Sequence, residues 1–166
     1  LNRIFAGDRN LIAFVQRALG YTLTGSSSEE KFFLCYGEGQ NGKSSLLEAF
    51  QVMLGSVGYA IRTEVLTRHK ITAASSHNED IANLYGKRYI LASESGTGRR
   101  LDMELIKRLT SGDPISASKK YGHSFSFEVK GTLWIMANHQ PEIRETDFGT
   151  KRRLIQVPFT VQIPPE

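Results

Sequence analysis

The sequence predicts an α/β domain built around a central parallel sheet, and three observations support this prediction. First, apolar segments of strand length alternate with helical segments along the chain, which is typical of parallel sheets. Second, a glycine-rich loop at residues 37–44 joins the first of these strands to a helix. Third, two short strand-like segments flank residues 119–123, which predicts a β-hairpin inserted late in the alternating series.

The individual elements follow from apolar periodicity and from the residues that begin and end helices. The first helix is predicted to begin after Asp8, a favoured N-cap residue, and to end at Gly20. Further helices are predicted at residues 43–54, 79–85 and 102–110. Strands are predicted at residues 31–36, 88–93, 115–118, 124–129, 131–138 and 153–159.

Composition limits the class of protein but does not name a function. The 166 residues suit one domain, and no apolar run approaches the ~20 residues that span a bilayer, so we expect a soluble protein. Cys35 is the one cysteine and has no internal disulfide partner, which fits a reducing compartment. The net charge of +4 is by itself weak evidence for a nucleic-acid partner.

Residues 37–44 read Gly-Glu-Gly-Gln-Asn-Gly-Lys-Ser and match the pattern G-x-x-x-x-G-K-[ST]. Glycines let the backbone curl so that its N–H groups face phosphate oxygens, and the following helix adds the positive end of its dipole. Lys43 is predicted to reach the β- and γ-phosphates, and the Ser44 hydroxyl is predicted to bind Mg²⁺. The predicted nucleotide-binding residues, for ATP or GTP, are Gly37, Glu38, Gly39, Gln40, Asn41, Gly42, Lys43, Ser44 and Ser45.

Two polar residues that end core strands are further candidates. Glu94 follows the strand at 88–93, where an acid would hold the metal, polarise the attacking water, or do both. The alternative is a surface glutamate after an edge strand. Asn138 ends the strand at 131–138, where its amide would bind the γ-phosphate or the attacking water. The alternative for Asn138 is a turn-forming residue.

The order of these features resembles the superfamily 3 helicase domain of phage and plasmid primase-helicases, a group that includes poxvirus-type primase-helicases. The resemblance covers about residues 20–159 and rests on the blocks 37–44, 86–94, 105–113, 137–141 and 147–159. It implies an AAA+-like motor that assembles as a hexameric ring around single-stranded DNA. Such motors translocate by hydrolysing ATP, with Mg²⁺ as the cofactor.

The resemblance also implies roles for individual residues. Lys43 belongs to motif A, Glu94 to motif B, and Asn138 is the motif C sensor. Because ATP lies between subunits in such rings, Arg152 is expected to complete the neighbouring subunit's site, with Arg153 the close second. Lys107 stands where the family places another residue that acts on the neighbour.

The family's pore hairpin corresponds to residues 119–123, so Lys119, Lys120 and His123 are expected to grip DNA phosphates. For Tyr121, stacking on a base and packing on the hairpin both remain open. The chain departs from the family at Ser118, where relatives usually carry arginine, and at Lys151, where an aromatic residue often stands. These departures concern the hairpin and the arginine pair rather than the phosphate loop.

The resemblance implies a helical, collar-like segment at residues 1–24 and the ATPase domain at residues 25–166. It further implies an upstream primase module and a cytoplasmic location, in a bacterial host cell or at a viral replication site, without membrane attachment. Two other functions stay open. One is a nucleotide-dependent DNA-binding or initiator module that does not unwind DNA. The other is a P-loop phosphotransferase, in which Arg144 would be the lid arginine.

Overall fold

The computed structural model describes residues 1–67, 74–93, 101–139 and 148–164, and only the backbone of residues 74–77. The helices are α1 (Arg9–Thr24), α2 (Lys43–Leu54), α3 (Ala74–Ala82), α4 (Met103–Thr110) and α5 (Phe148–Arg153). The strands are β1 (Phe32–Tyr36), β2 (Gly58–Ile61), β3 (Tyr89–Ser93), β4 (Pro114–Ser118), β5 (Ser124–Glu128), β6 (Thr132–Ala137) and β7 (Leu154–Pro158).

Five strands form one sheet in the order β2-β3-β6-β1-β7, and every neighbouring pair is parallel. This confirms the predicted α/β fold with a central parallel sheet. β1 lies between β6 and β7, while the chain leaving β1 goes to β2 at the opposite side of the sheet. In open α/β sheets, ligands bind where neighbouring connections diverge in this way, at the carboxyl ends of the strands. The topology therefore singles out the carboxyl edge of β1 and β6.

The sheet is covered on both faces, which explains the long apolar runs in its central strands. Alternate residues of each strand point to opposite faces, so Phe33 and Trp134 pack in the cluster that contains residues of α1 and α2. Leu34 and Ile135 pack in the second cluster, together with residues of α4 and of the hairpin. The two layers hold the carboxyl edge of the sheet in place from both sides.

The predicted hairpin is confirmed: β4 and β5 pair antiparallel and form a separate two-stranded sheet. Its inward residues Ile115, Ala117 and Phe127 belong to the same core cluster as Leu133 and Ile135 of β6. The last pair of the ladder joins Ser118 to Ser124, so residues 119–123 form the turn. Burial of one hairpin face fixes the strand register and therefore the place of that turn.

Some predicted boundaries are wrong. α1 begins after Asp8 as predicted, since the carboxylate accepts bonds from the N–H groups of Asn10 and Leu11 at 3.0 Å. It continues through Gly20, however, and ends at Gly25, whose φ of 67° is the left-handed conformation of a helix C-terminus. The short elements β2 and α5 were not predicted, and α3 begins and ends earlier than expected.

Hydrophobic packing joins α1 to the sheet. Val15, Ala18 and Leu19 are buried in the cluster that contains Trp134. The indole N–H of Trp134 donates to the Thr22 hydroxyl at 3.0 Å, and both residues are buried.

No helix within the described part of the chain is long and apolar enough to cross a membrane.

Candidate functional site

The loop after β1 turns sharply at two glycines. A Cβ atom on Gly37 would lie 2.0 Å from the carbonyl oxygen of Phe159, so the backbone there has no room for a side chain. Gly42 has a φ of 75° and caps α2 without a side-chain hydrogen bond. The N-cap residue of this 12-residue helix therefore contributes no side-chain hydrogen bond to the first turn, whose free N–H groups are of the kind that bind anions.

Lys43 lies at the carboxyl ends of two neighbouring strands. Its side chain is nearly buried, with the residue 5% exposed, and Nζ donates to the carbonyl oxygen of Gly37 at 2.9 Å. The same ammonium group also donates to the carbonyl oxygen of Ala137, the last residue of β6. Ser44 and Ser45 follow on the exposed first turn of α2. The loop thus presents a cation, a helix N-terminus and hydroxyl groups to one place.

Asn41 braces the loop from inside. Its Nδ2 donates to the carbonyl oxygens of Glu38 at 2.7 Å and of Phe159 at 3.0 Å. Its Oδ1 accepts from the backbone N–H of Lys43 at 3.2 Å, and the residue is only 4% exposed. Asn41 therefore fixes the shape of the loop, a role that its place in the motif did not reveal.

Residues near both ends of the described chain pack against this loop, and no sequence pattern predicted these contacts. The backbone N–H of Ile163 donates to the carbonyl oxygen of Gln40 at 2.7 Å. A Cβ atom on Gly42 would meet the side chain of Ile4 at 2.8 Å and that of Ile163 at 3.3 Å. These contacts join residues that are far apart in sequence, so local sequence patterns do not indicate them.

Asn138 comes to the same edge as Lys43. It is exposed and follows Ala137, whose carbonyl accepts from the Lys43 ammonium group. Glu94 lies outside the described residues. Ser93, which precedes it, ends β3 opposite Met136 of β6. An open cleft of about 400 Å³ lies beside this point, lined by residues that include Glu48, Arg62, Thr63, Ser93 and Met136.

Burial dominates the electrostatics of the strands below the loop. It raises the pKa of the Cys35 thiol from 9.0 to about 12, and the nearby Lys43 charge opposes this shift. Burial also raises the pKa of Tyr89, whose hydroxyl donates to the carbonyl oxygen of Leu47 at 3.0 Å. Both groups are therefore neutral near pH 7 and serve the core rather than acid–base chemistry.

Arg152 and Arg153 lie at the opposite edge of the sheet. They immediately precede β7, whose first residue pairs with Phe32 at the start of β1. Five residues of parallel strand separate that edge from the loop, a distance of roughly 16 Å. Both guanidinium groups contact the Glu30 carboxylate: Arg152 is half-exposed, whereas Arg153 is buried and lies 3.0 Å from Glu30 Oε2.

Lys107 lies on α4, which packs against α5, so the structure brings its helix next to that of the arginine pair. It is half-buried, whereas Arg152 on the adjoining helix is exposed. Neither residue belongs to the edge that carries the phosphate loop of the same chain. Arg144 lies outside the described residues.

The turn of the hairpin is fully accessible. Lys119, Lys120 and His123 are exposed, as a phosphate-gripping loop requires. Tyr121 is 95% exposed, so its ring is not packed on the hairpin, and its φ of 64° is a strained value for a residue with a side chain. The Lys120 ammonium group lies 5.2 Å from the centre of that ring.

Comparisons with known proteins agree with this architecture. A family model described as "Family of unknown function (DUF5906)" matches residues 35–153. The chain is 30% identical over 152 residues to "Putative helicase L207/L206" of Acanthamoeba polyphaga mimivirus, covering 92% of the chain and 16% of that protein. It is 28% identical over 156 residues to "Putative helicase 022R" of Frog virus 3, again covering 92% of the chain and 16% of the relative. The chain therefore spans only a small part of the relatives it matches.

Solved structures give the same fold at low sequence identity. The apo NrS-1 C-terminal region superposes with a TM-score of 0.64 at 14% identity, covering 96% of this chain and 36% of that one. The JCV helicase bound to a thiazolopyridine-containing acetamide gives a TM-score of 0.58 at 14% identity, covering 80% and 36%. Together with the named viral relatives, these matches confirm the resemblance to superfamily 3 helicase domains that the order of motifs predicted.

Proposed function

The chain belongs to the family described as "Family of unknown function (DUF5906)", and we propose a function for it. This function is that of the ATP-hydrolysing motor of a DNA replication helicase. Relatives that are themselves named as helicases support a helicase-type role. The finer statement, ATP hydrolysis between subunits that drives movement along single-stranded DNA, is our proposal. The observation that carries it is the position of Lys43, at the N-terminus of α2 and between the ends of β1 and β6.

The donor groups at this edge fit the triphosphate of ATP and its Mg²⁺ ion. Gly37 lets the loop pass close to the Phe159 backbone, where a Cβ atom would collide with the carbonyl oxygen. The N-terminal amides of α2 would then face the phosphates. Lys43 would exchange its two carbonyl partners for phosphate oxygens. Ser44 and Glu94 would hold Mg²⁺, which would neutralise negative charge on the β- and γ-phosphates of ATP. Asn138 would then orient the water that attacks.

Arg152 is proposed to act on the nucleotide of a neighbouring subunit. It stands roughly 16 Å of strand away from its own phosphate loop, at the opposite edge of a rigid sheet. A cation there can stabilise transition-state charge only at a second copy's site. Between the two candidates, the half-exposed Arg152 is favoured, because Arg153 is buried and also donates to the carbonyl oxygen of Gly149 at 3.1 Å.

The hairpin turn is proposed to hold single-stranded DNA. Its exposed Lys119, Lys120 and His123 would contact phosphates without reading sequence, so binding should weaken as salt rises. Tyr121 would stack on a base, because its ring is exposed and is not packed on the hairpin. An upstream primase module and a ring of six subunits complete the proposed machine.

The nucleotide site is tested by ATP hydrolysis of the purified protein and its Lys43→Ala variant. We expect the variant to lose about 100-fold or more in kcat, because it removes a preorganised charge from the transferred phosphate. Lys130→Ala is the matched control, since this exposed lysine pairs with Glu128 on the hairpin side of the molecule. Equal ATPase rates for wild type and Lys43→Ala would contradict the assignment.

Strand displacement on a forked DNA duplex separates the possible functions. The proposal expects unwinding that needs ATP and is lost in Lys43→Ala. ATP-dependent DNA binding without displacement would instead indicate an initiator module. Transfer of phosphate to a small acceptor, rather than to water, would indicate a phosphotransferase.

A further inference from the structure

We propose that helix α3 couples the hairpin to the nucleotide edge, with Asn78 as the residue that positions the DNA-binding turn. This inference rests on the function proposed above and assigns a role to residues that no motif marks. Its basis is a set of hydrogen bonds that leave α3 on two sides. Each side reaches one of the two proposed binding regions.

On one side, Asn78 holds the strand that leads into the turn. Its Nδ2 donates to the Ser118 hydroxyl at 2.8 Å, and its Oδ1 accepts from the Ser118 backbone N–H at 3.2 Å. Ser118 is the last residue of β4 and directly precedes Lys119. One amide group therefore fixes both the backbone and the side chain at the base of the turn.

On the other side, Asp80 holds the end of β2. This buried carboxylate accepts from Arg62 Nε at 2.9 Å and from the Tyr59 hydroxyl at 3.1 Å. Two helical positions turn the chain by about 200°, so residues 78 and 80 leave α3 in nearly opposite directions. The helix is thus a bridge between the hairpin and β2.

From β2 the contacts continue to the strand that precedes Glu94. Thr63, next to Arg62, donates its hydroxyl proton to the carbonyl oxygen of Ser93 at the end of β3. Movement at the end of β3 would be passed through β2 and α3 to Ser118. Packed and hydrogen-bonded networks can carry coupling between sites, and we infer that this one does so between β3 and the hairpin.

The test compares basal ATP hydrolysis with hydrolysis stimulated by a dT oligonucleotide. We expect Asn78→Ala and Ser118→Ala to keep basal rates within about twofold and to lose about threefold to tenfold in DNA stimulation. The double variant should lose no more than Asn78→Ala, because Asn78→Ala already removes both hydrogen bonds and Ser118→Ala removes one of the same two. Asn78→Asp should retain most of the stimulation, since a carboxylate still accepts from the Ser118 N–H and hydroxyl groups.

Two controls separate positioning from stability. Ser116→Ala removes a hydroxyl two residues earlier on β4, whose 2.9 Å contact with Ser126 stays within the hairpin. Ser126→Ala removes the other hydroxyl of that same contact, from β5. Both controls should keep full DNA stimulation, and thermal melting should show all variants folded.

The outcomes are distinct. DNA stimulation in both Asn78→Ala and Ser118→Ala that equals the wild-type value would overturn the coupling and leave the proposed function standing. Equal losses of basal and stimulated rates would overturn it as well, since that is the result of a merely structural contact. A wild-type protein that hydrolyses no ATP, or is not stimulated by dT, would overturn the proposed function itself.

Discussion

Cys35 shows how strongly single residues of the central strands depend on burial. It lies in β1 two residues before the phosphate loop and is completely buried. Burial raises its pKa from 9.0 to about 12, so the folded protein keeps the thiol proton where an unfolded chain has lost it. The stability linked to this group is therefore fully present below about pH 9 and declines as the pH rises towards 12.

We predict that Cys35→Ala reduces the alkaline loss of stability. Between about pH 8 and about pH 10, the free energy of unfolding of the wild type should fall by about 1.4 kcal/mol more than that of the variant. Urea unfolding at the two pH values measures this difference, and groups shared by both proteins cancel. The smaller side chain should lower stability at both pH values, because it leaves a cavity in the core. The same pH dependence in both proteins would contradict the prediction.

At the residue scale, the sequence indicated the phosphate loop because its chemistry is local. Glycines, Lys43 and Ser44 stand within eight residues, and the structure places them together at one strand end. The contact between Glu30 and Arg153 joins residues more than a hundred positions apart, and no short pattern encodes it. The bracing role of Asn41 escaped prediction for the same reason, since one of its partners is Phe159.

At the scale of elements, the strands that are buried on both faces were predicted well from the sequence, and the short, partly exposed elements were not. The strands β1, β3 and β6 are apolar on both faces and were found from the sequence with boundaries close to those observed. β2 has only four residues, of which one is fully buried, so it lacks a clear pattern. α5 has only six residues, and its three consecutive basic residues look like a solvated loop. Gly20 was predicted to end α1 because glycine commonly follows a helix. The helix continues through it, since this exposed position tolerates glycine.

The N-cap of α1 gives a prediction at this scale. Asp8 accepts from two backbone N–H groups at 3.0 Å, so Asp8→Ala should lower the free energy of unfolding by about 1 kcal/mol. Asp8→Asn is the matched control and should cost much less, because its amide oxygen still caps the helix. Chemical denaturation of the three proteins measures the effect. An equal loss in both variants would show that the charge, rather than the cap, stabilises α1.

At the scale of the whole molecule, the parallel sheet separates the two groups of residues that we propose to form one catalytic site. The carboxyl edge holds Lys43 and Asn138, and the amino edge holds Arg152 with Glu30. Strands that run in one direction give the two edges different chemistry. In the proposed function, Arg152 therefore completes the site of a second copy rather than that of its own chain. The carboxylate of Glu30 keeps the arginines at that edge.

This separation predicts the outcome of mixing wild type with an Arg152→Ala variant. If Arg152 serves a neighbour's nucleotide within a ring that works cooperatively, DNA-stimulated ATPase activity should fall below the straight line expected for dilution by inactive subunits. Lys151→Ala is the matched control, because it removes an exposed cation from the adjacent position of α5 and should leave activity unchanged at every ratio. Thermal melting should show that Arg152→Ala is folded, since its guanidinium group is half-exposed. A linear decline would show that the sites hydrolyse ATP independently and would contradict the cooperative ring.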